Sequence, residues 1–303
     1  MSTGSQTQAD QSPVIPFRWD VSRREQLGRL AQHEPAEIPD GYYEEVRAVC
    51  ARILAMSDDC DLVFVGRSPE HLFDYLSGSF QAIAKAPDLT LFQFSKSYRG
   101  PHWNLWTGPR DFRPNEIEAL LSYLTELGLD PLSLMSSHRA VRFVDFVHMG
   151  STFNILLHLL DRLSKLQSAD WKQVEKRIGF LGITCRTKNS PNTFRWQQSE
   201  SWLEIAGNVS AKNVSVPLGF WSFCANESPK VTHSFHRGRW LNPDAAGPEY
   251  GEKISQALAR SVDLFDHASG SEERKAFARE LSATPGTEHG WFRHLAHELK
   301  FAR

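Results

Sequence analysis

The chain has 303 residues, of which 41 % are hydrophobic and 23 % are charged, and its formal net charge is −2. This length is enough to bury a sizeable core in one large or two small domains. The near-zero charge argues against a general nucleic-acid binder, which normally has a basic surplus. The longest apolar runs are also too short to cross a bilayer. From these two observations, we expect neither nucleic acid nor a membrane as a partner.

The cysteines and the first residues bear on the cellular compartment. The four cysteines lie far apart, without the paired spacing of a zinc site or a disulfide framework. Residues 1–16 are polar and interrupted by proline, and they lack the basic and apolar regions of a signal peptide. We therefore predict a disordered segment over 1–16 and a cytoplasmic location for the protein.

The first elements alternate between helical and extended patterns. Apolar residues at helical spacing predict a helix over 42–56. The continuous apolar run over 61–66 predicts a strand that is buried on both faces. Ser68 as N-cap and Pro69 as first helical residue then predict the start of another helix.

The alternation continues along the chain before it stops. Further strands are predicted at 89–94, 140–147 and 178–184, and further helices at 115–127 and 152–166. This order predicts an α/β fold with a mainly parallel sheet and helices on both faces. Beyond it, the aromatic-rich segment 189–240 breaks the alternation, and helical patterns follow at 250–267, 272–281 and 291–301. We predict an α/β domain over 17–245, in which 189–240 forms a hood, and a C-terminal helical extension over 246–303.

Residues 142–152, RFVDFVHMGST, carry the strongest chemical signal. An apolar strand ends in Asp145, and a short loop with one glycine leads into a helix. The carboxyl ends of parallel strands face the ligand crevice, so the loop amides would lie at a helix N-terminus that favours phosphate. Gly150 would allow close approach of the backbone to an anion. Ser151 and Thr152 can donate to phosphate oxygens, and Asp145 can accept from ribose hydroxyls.

This segment resembles the signature of type I phosphoribosyltransferases, closest to the purine-type members. That signature is an apolar strand, two acids, two apolar residues and a five-residue phosphate loop, here residues 148–152. Asp145 takes the second acidic position, where the resemblance implies contact with ribose and with a magnesium ion. His148 takes the position of a general base. Two residues depart from the signature, because Val144 replaces the first acid and Met149 replaces a small hydroxyl residue.

The resemblance extends to segments on either side, in the order that the family requires. A pyrophosphate-binding loop is implied at Gly66, Arg67 and Ser68. A flexible loop that closes over the active site is implied at Lys96, Ser97, Tyr98 and Arg99. Base-binding residues are implied at Arg186, Phe220, Trp221 and Glu227.

The resemblance implies an enzyme that depends on Mg²⁺ and transfers ribose 5-phosphate between phosphoribosyl pyrophosphate and a nucleobase-like acceptor. Because one acid is missing at Val144, a second hypothesis is a non-catalytic module that senses phosphoribosyl pyrophosphate or a nucleotide. A third is unrelated chemistry on a similar doubly wound sheet, since a fold does not fix function. The assembly state is open, with a homodimer as one option.

Overall fold

A five-stranded sheet forms the centre of the molecule. The computed structural model describes residues 13–96, 112–186, 196–198, 202, 204–205, 207–285 and 289–301. Every pairing between the described strands is parallel, and their order is β2-β1-β3-β4-β5. The strands are β1 (Asp61–Val65), β2 (Leu89–Phe92), β3 (Val141–Phe146), β4 (Ile178–Cys185) and β5 (Ser210–Val216). The predicted α/β class with a parallel sheet is confirmed.

Eleven α-helices lie within the described ranges. They are α1 (Arg24–Leu27), α2 (Tyr42–Met56), α3 (Glu70–Phe80), α4 (Pro114–Glu126), α5 (Pro131–Ser136), α6 (Ser151–Leu166), α7 (Trp171–Arg177), α8 (Leu218–Ser222), α9 (Glu252–Ser269), α10 (Ser271–Ala283) and α11 (Gly290–Phe301). A π-helical turn, Phe223–Glu227, directly follows α8. Of these helices, none combines the length and apolarity that are needed to cross a bilayer.

Both faces of the sheet are covered, because its central strands carry apolar side chains in both directions. In β1, Leu62 and Phe64 belong to one apolar cluster, while Val63 and Val65 belong to another. The first cluster includes α2, α3 and α8 to α11, and the second includes α4 to α7. This three-layer arrangement explains the continuous apolar pattern of the strands.

The three C-terminal helices pack against the same core as the sheet. Phe277, Phe292 and Leu299 are fully buried in the cluster that contains Phe64 of β1. Helix α9 also packs along α3, and α10 packs against α2. The domain boundary expected at residue 246 stays a prediction.

Two sequence patterns were misleading at the level of single elements. The last strand, β5, lies in the segment where we expected no strand, because Ser210, Lys212 and Ser215 interrupt its apolar pattern. The predicted N-cap at Ser68 is wrong, because α3 begins at Glu70 and its N-cap residue is Pro69. The short helices α5 and α7 were also not predicted.

Candidate functional site

The site lies where the strand order reverses. The chain passes from β1 outward to β2 and then returns to β3 on the other side of β1. Loops that leave the carboxyl ends of two such strands diverge, and the crevice between them is the usual ligand site of doubly wound sheets. Here the two loops are residues 66–69 after β1 and residues 147–150 after β3.

Two adjoining cavities occupy this crevice. The β3 cleft, of about 250 Å³, is lined by Asp145, residues 146–153, Trp221 and Asn226. The β1 cleft, of about 170 Å³, is lined by residues 65–68, 94–96, Lys230 and residues 234–235. They share lining residues, namely Ser68, Lys96, Asp145, Thr152 and Ala225. The structure therefore brings the predicted phosphate loop, the predicted pyrophosphate loop and Lys96 to one place.

The N-terminus of α6 faces the β3 cleft. Helix α6 has 16 residues, and no described side chain caps its first turn. The Gly150 carbonyl accepts the first helical hydrogen bond, from the Asn154 N–H at 2.9 Å. The first amides of a helix have no partners inside that helix and carry partial positive charge. Since residues 148–153 line the cleft, this helix N-terminus borders it, and such a terminus favours an anion.

Gly150 is required for a reason that the sequence does not reveal. Its backbone is left-handed, with φ of 74°, which disfavours any other residue. A Cβ at this position would lie 2.7 Å from Cε3 of Trp196 and 2.8 Å from its Cβ. We had expected the lack of a side chain at Gly150 to allow the close approach of an anion. In the structure, the buried Trp196 occupies the space that a side chain would take. The indole of Trp196 is fixed in turn by donation to Asn213 at 2.8 Å.

Asp145 is buried, with 7 % of its surface exposed, and its surroundings favour the neutral form. Burial raises the pKa of this carboxyl to about 8. The Phe146 N–H donates to it at 2.8 Å, and the Thr152 hydroxyl and the Lys96 ammonium oppose the shift without cancelling it. Without a ligand, the Asp145 carboxyl is therefore largely protonated near neutral pH, and its ionisation would require added positive charge or hydrogen-bond donors.

The β1 cleft is bordered by a tight loop that begins at Gly66. Gly66 has φ of 75°, and a Cβ there would lie 2.9 Å from the Phe94 carbonyl oxygen. The loop therefore runs against the segment that follows β2. Arg67 donates from Nη1 to the Thr232 carbonyl at 3.2 Å. The Ser68 hydroxyl, which does not cap α3, lines both clefts.

Among the charged side chains in the described lining of the two clefts, basic ones are more numerous than acidic ones. The basic ones are Arg67, Lys96 and Lys230, and burial lowers the pKa of each. Asp145 is the acid in the same described lining. Nearby Glu70 accepts from the Val231 N–H at 3.1 Å and from the Thr232 hydroxyl at 2.8 Å. With Asp145 protonated, the crevice has a surplus of positive charge and suits a polyanion.

Lys96 is positioned by a segment that is distant in sequence. The Ser95 N–H donates to the Phe235 carbonyl at 3.0 Å, and Ser95 forms a parallel bridge with His236. Lys96 Nζ donates to the Ser151 hydroxyl at the start of α6. This lysine therefore links the segment after β2 to the helix that faces the β3 cleft.

The far side of the β3 cleft is aromatic. His148 is exposed, Trp221 is half-buried, and their ring centroids are 6.3 Å apart. The Trp221 Nε1–H donates to the Ile183 carbonyl at 3.1 Å, which fixes the indole at the end of β4. Met149 is 54 % exposed beside them. A planar group could lie against this aromatic wall, in the cleft that Asp145 also lines.

Three of the expected base-binding residues do not line the described clefts. Phe220 is buried, with its ring 6.1 Å from that of Tyr42 and 6.3 Å from that of Phe146, so it contributes to the core. The Glu227 carboxylate is exposed and accepts from the Ser222 hydroxyl at 2.6 Å. Arg186 is exposed at the end of β4. The residues expected in the flexible loop, Ser97, Tyr98 and Arg99, lie outside the described residues.

The structure adds two residues that we did not expect at the site. Lys230 lies in a stretch without periodic pattern, and its ammonium group donates to the Cys224 carbonyl and, at 2.7 Å, to the Ser228 hydroxyl. Asn226 belongs to the π-helical turn, a feature that is frequent at functional sites. Neither has a local sequence signal, because only the tertiary fold places them beside the strands.

The types of side chain near the crevice indicate how a metal ion could be bound. Within the described ranges, no group of three or more histidine, cysteine or acidic residues could hold a metal ion. Mg²⁺, however, commonly binds through one or two carboxylates together with substrate phosphates and water. A single carboxylate at Asp145 therefore suits a metal that arrives with a polyphosphate.

Comparison with protein-family models, with curated proteins and with solved structures gave no match for this chain. The family resemblance seen in the sequence therefore remains a prediction.

Proposed function

We propose that the crevice binds phosphoribosyl pyrophosphate with Mg²⁺ and transfers ribose 5-phosphate to a nucleobase-like acceptor. The observation that carries this proposal is the convergence of two anion-binding elements on one buried carboxylate. The N-terminus of α6 and the Gly66–Ser68 loop both border Asp145. Phosphoribosyl pyrophosphate carries a phosphate and a pyrophosphate on one ribose, so it matches this arrangement.

Each part of the substrate has a candidate partner. The 5-phosphate binds the amides and hydroxyls of residues 150–152, and the pyrophosphate binds Arg67, Ser68 and Lys230. Lys96 lies between the two clefts and can donate to either anion. The ribose hydroxyls donate to Asp145, which ionises when these donors and Mg²⁺ arrive.

Mg²⁺ would be held by the pyrophosphate and by Asp145, and when bound it would neutralise part of the charge of the leaving group. The residues of the chain supply the remaining effects. Positive charge builds on the ribose as the bond from C1 to pyrophosphate lengthens, and the ionised Asp145 stabilises that charge. An acceptor nitrogen, held against Trp221, forms the new bond to C1, and His148 accepts the proton that it releases.

A second candidate is binding without transfer. Val144, at the position of the first acid, is fully buried and belongs to the apolar core. The crevice therefore lacks one carboxylate, and the remaining one tends to be neutral near pH 7. Both features weaken stabilisation of a positively charged ribose, which favours a sensor of phosphoribosyl pyrophosphate or a nucleotide.

Titration calorimetry with phosphoribosyl pyrophosphate, with and without Mg²⁺, tests the binding step. We expect binding that Lys96→Met weakens by about tenfold, because it removes one charge-assisted hydrogen bond in a buried site. Lys165→Met is the matched control, because Lys165 is exposed on α6, lies outside both clefts and is paired with Asp161. No binding by the wild type, or equal loss in both variants, would contradict the proposal.

A pyrophosphate-release assay over a panel of nucleobases distinguishes the two candidates. Release with one base and loss of release in Asp145→Asn supports the transferase. Tight binding without release for any base supports the sensor. Asp145→Asn with full turnover would exclude the role given to this carboxylate.

A further inference from the structure

A large groove lies between the last two helices, α10 and α11. None of its described lining residues also lines the crevice. This basic groove has a volume of about 1160 Å³, and the described residues that line it belong to α10 and α11. Its floor consists of small side chains, Ala278 and Ala296, which are nearly buried, and Ala283 lies at its edge. Small residues at these positions leave a channel where larger side chains would close the contact between the helices.

The rim of the basic groove carries charge of one sign. Lys275 and Arg279 lie on α10, and Arg293 and Lys300 lie on α11. Among the described residues that line the groove, none is acidic. Lys275 is paired with Glu272 at 2.8 Å, but Glu272 is 87 % exposed, and such surface pairs contribute little energy.

The rim charges are spread along the groove. Lys275 and Arg279 are one helical turn apart, and Arg293 and Lys300 are two turns apart, or roughly 10 Å along the axis. A lipid headgroup or a single phosphate would need cations gathered at one point. Charges in two rows beside an apolar channel instead match a partner that repeats negative charge along its length.

The apolar lining also reaches the surface. Phe301 is 60 % exposed at the end of α11, with its ring 4.7 Å from that of His297. Phe301 therefore adds an exposed apolar surface to the lining of the groove. A helix in such a groove would place apolar residues on the floor and acidic residues against the rim.

We propose that the basic groove is a docking site for an acidic amphipathic helix of a partner protein. This proposal is independent of the chemistry in the crevice. The occupant has apolar residues at i, i+3, i+4 and i+7, which lie on the alanine floor and against Phe301. Its Glu and Asp residues meet the two rows of cations.

The test uses the full chain and a labelled synthetic peptide of about 20 residues, long enough to form a helix. The peptide has Leu at the four apolar positions and Glu and Ala elsewhere, and its partner peptide has Lys in place of Glu. Fluorescence anisotropy should show binding of the Glu peptide only, with an affinity that falls as salt is added. Ala283→Trp, which fills the groove, and Arg279→Glu should each weaken binding by at least about tenfold.

Lys172→Glu is the control, because Lys172 is exposed on α7 and carries the same charge change away from the groove. It should bind the Glu peptide like the wild type, and melting curves of all variants verify folding. Binding that Ala283→Trp and Arg279→Glu leave unchanged would overturn the proposal. It would also be overturned if the wild type ignored the peptide but sedimented with anionic phospholipid vesicles, or formed a dimer that Ala283→Trp dissociates.

Discussion

Asp145 combines a buried position with a role that requires charge. Burial raises the pKa of this carboxyl to about 8. The folded protein therefore keeps a proton on Asp145 that the unfolded chain loses above the ordinary pKa of 3.8. The stabilising effect of that proton is complete below pH 3.8 and is lost as the pH rises through about 8. Without a ligand, the neutral form of Asp145 thus favours the folded protein, whereas a ligand with cations and hydroxyl donors favours the ionised form.

Asp145→Asn should remove this pH dependence. Between pH 6 and pH 9, the free energy of unfolding of the wild type should fall by roughly 2 kcal/mol relative to the variant, because an amide does not titrate. Urea unfolding at several pH values measures the difference, and all other titrating groups are common to both proteins. If the free energy of unfolding changed with pH in the same way in both proteins, Asp145 would be ionised in the folded protein without a ligand.

Gly150→Ala should destabilise the protein through Trp196 as well as through its backbone. Gly128→Ala is the control, because Gly128 also has a left-handed backbone, with φ of 67°, but open space at its Cβ position. Both variants bear a strain of about 1 kcal/mol, and the contact with Trp196 should add roughly 1–3 kcal/mol in Gly150→Ala alone. Chemical denaturation gives both values, and equal losses would contradict the role of Trp196.

At the scale of elements, the crevice depends on how two helices begin. Helix α3 begins without a side-chain cap, which leaves Ser68 in the crevice. Helix α6 also begins without one, after the left-handed Gly150. A helix that caps its own first turn satisfies those amides internally, so the absence of caps keeps them available to an anion.

Phosphoribosyl pyrophosphate should therefore slow amide hydrogen exchange at the start of α6. Protection is expected at residues 150–153, because the phosphate accepts from those N–H groups. The N-terminus of α10 is the internal control, because its N-cap residue, Gly270, also provides no side-chain cap but lies outside both clefts. Exchange measured by mass spectrometry should change at α6 and not at α10. Equal protection at both termini, or none at α6, would contradict the phosphate site.

At the scale of the whole molecule, the C-terminal helices stabilise the sheet that carries the site. Phe277, Phe292 and Leu299 are fully buried in the cluster that covers one face of β1. Their removal would expose the apolar side chains of α2 and α3 to water. The basic groove and the crevice are therefore parts of one folded body, although they offer different surfaces to different ligands.

A chain that ends at residue 247 should not fold. It lacks α9 to α11, and each large apolar side chain that loses its burial costs about 1.5–3 kcal/mol, which in sum exceeds the stability of a typical domain. Circular dichroism in the near ultraviolet and a urea transition measure the outcome. A chain that ends at residue 301 is the control and should unfold cooperatively. Cooperative unfolding of the shorter chain would instead support a separate α/β domain that ends near residue 246.

The sequence by itself determined the parallel α/β architecture and the turn that leads from β3 into α6. Both follow from local pattern, since buried strands read as continuous apolar runs and Gly150 marks a turn into a helix. The sequence did not reveal β5, because its polar residues interrupt the continuous apolar run that marks the other strands. Phe220 was expected to bind a base because of the family resemblance, yet its neighbours Tyr42 and Phe146 place it in the core.

Only the tertiary structure decided which side chains share the crevice. Lys230 comes from an irregular segment and lines the β1 cleft, and Trp196, which is also distant in sequence, packs against Gly150. The raised pKa of Asp145 has the same origin, since burial depends on all the elements packed around a carboxyl. Local periodicity in the sequence indicates helices and strands. The proximity of side chains and the dielectric environment around them arise only when distant segments pack together.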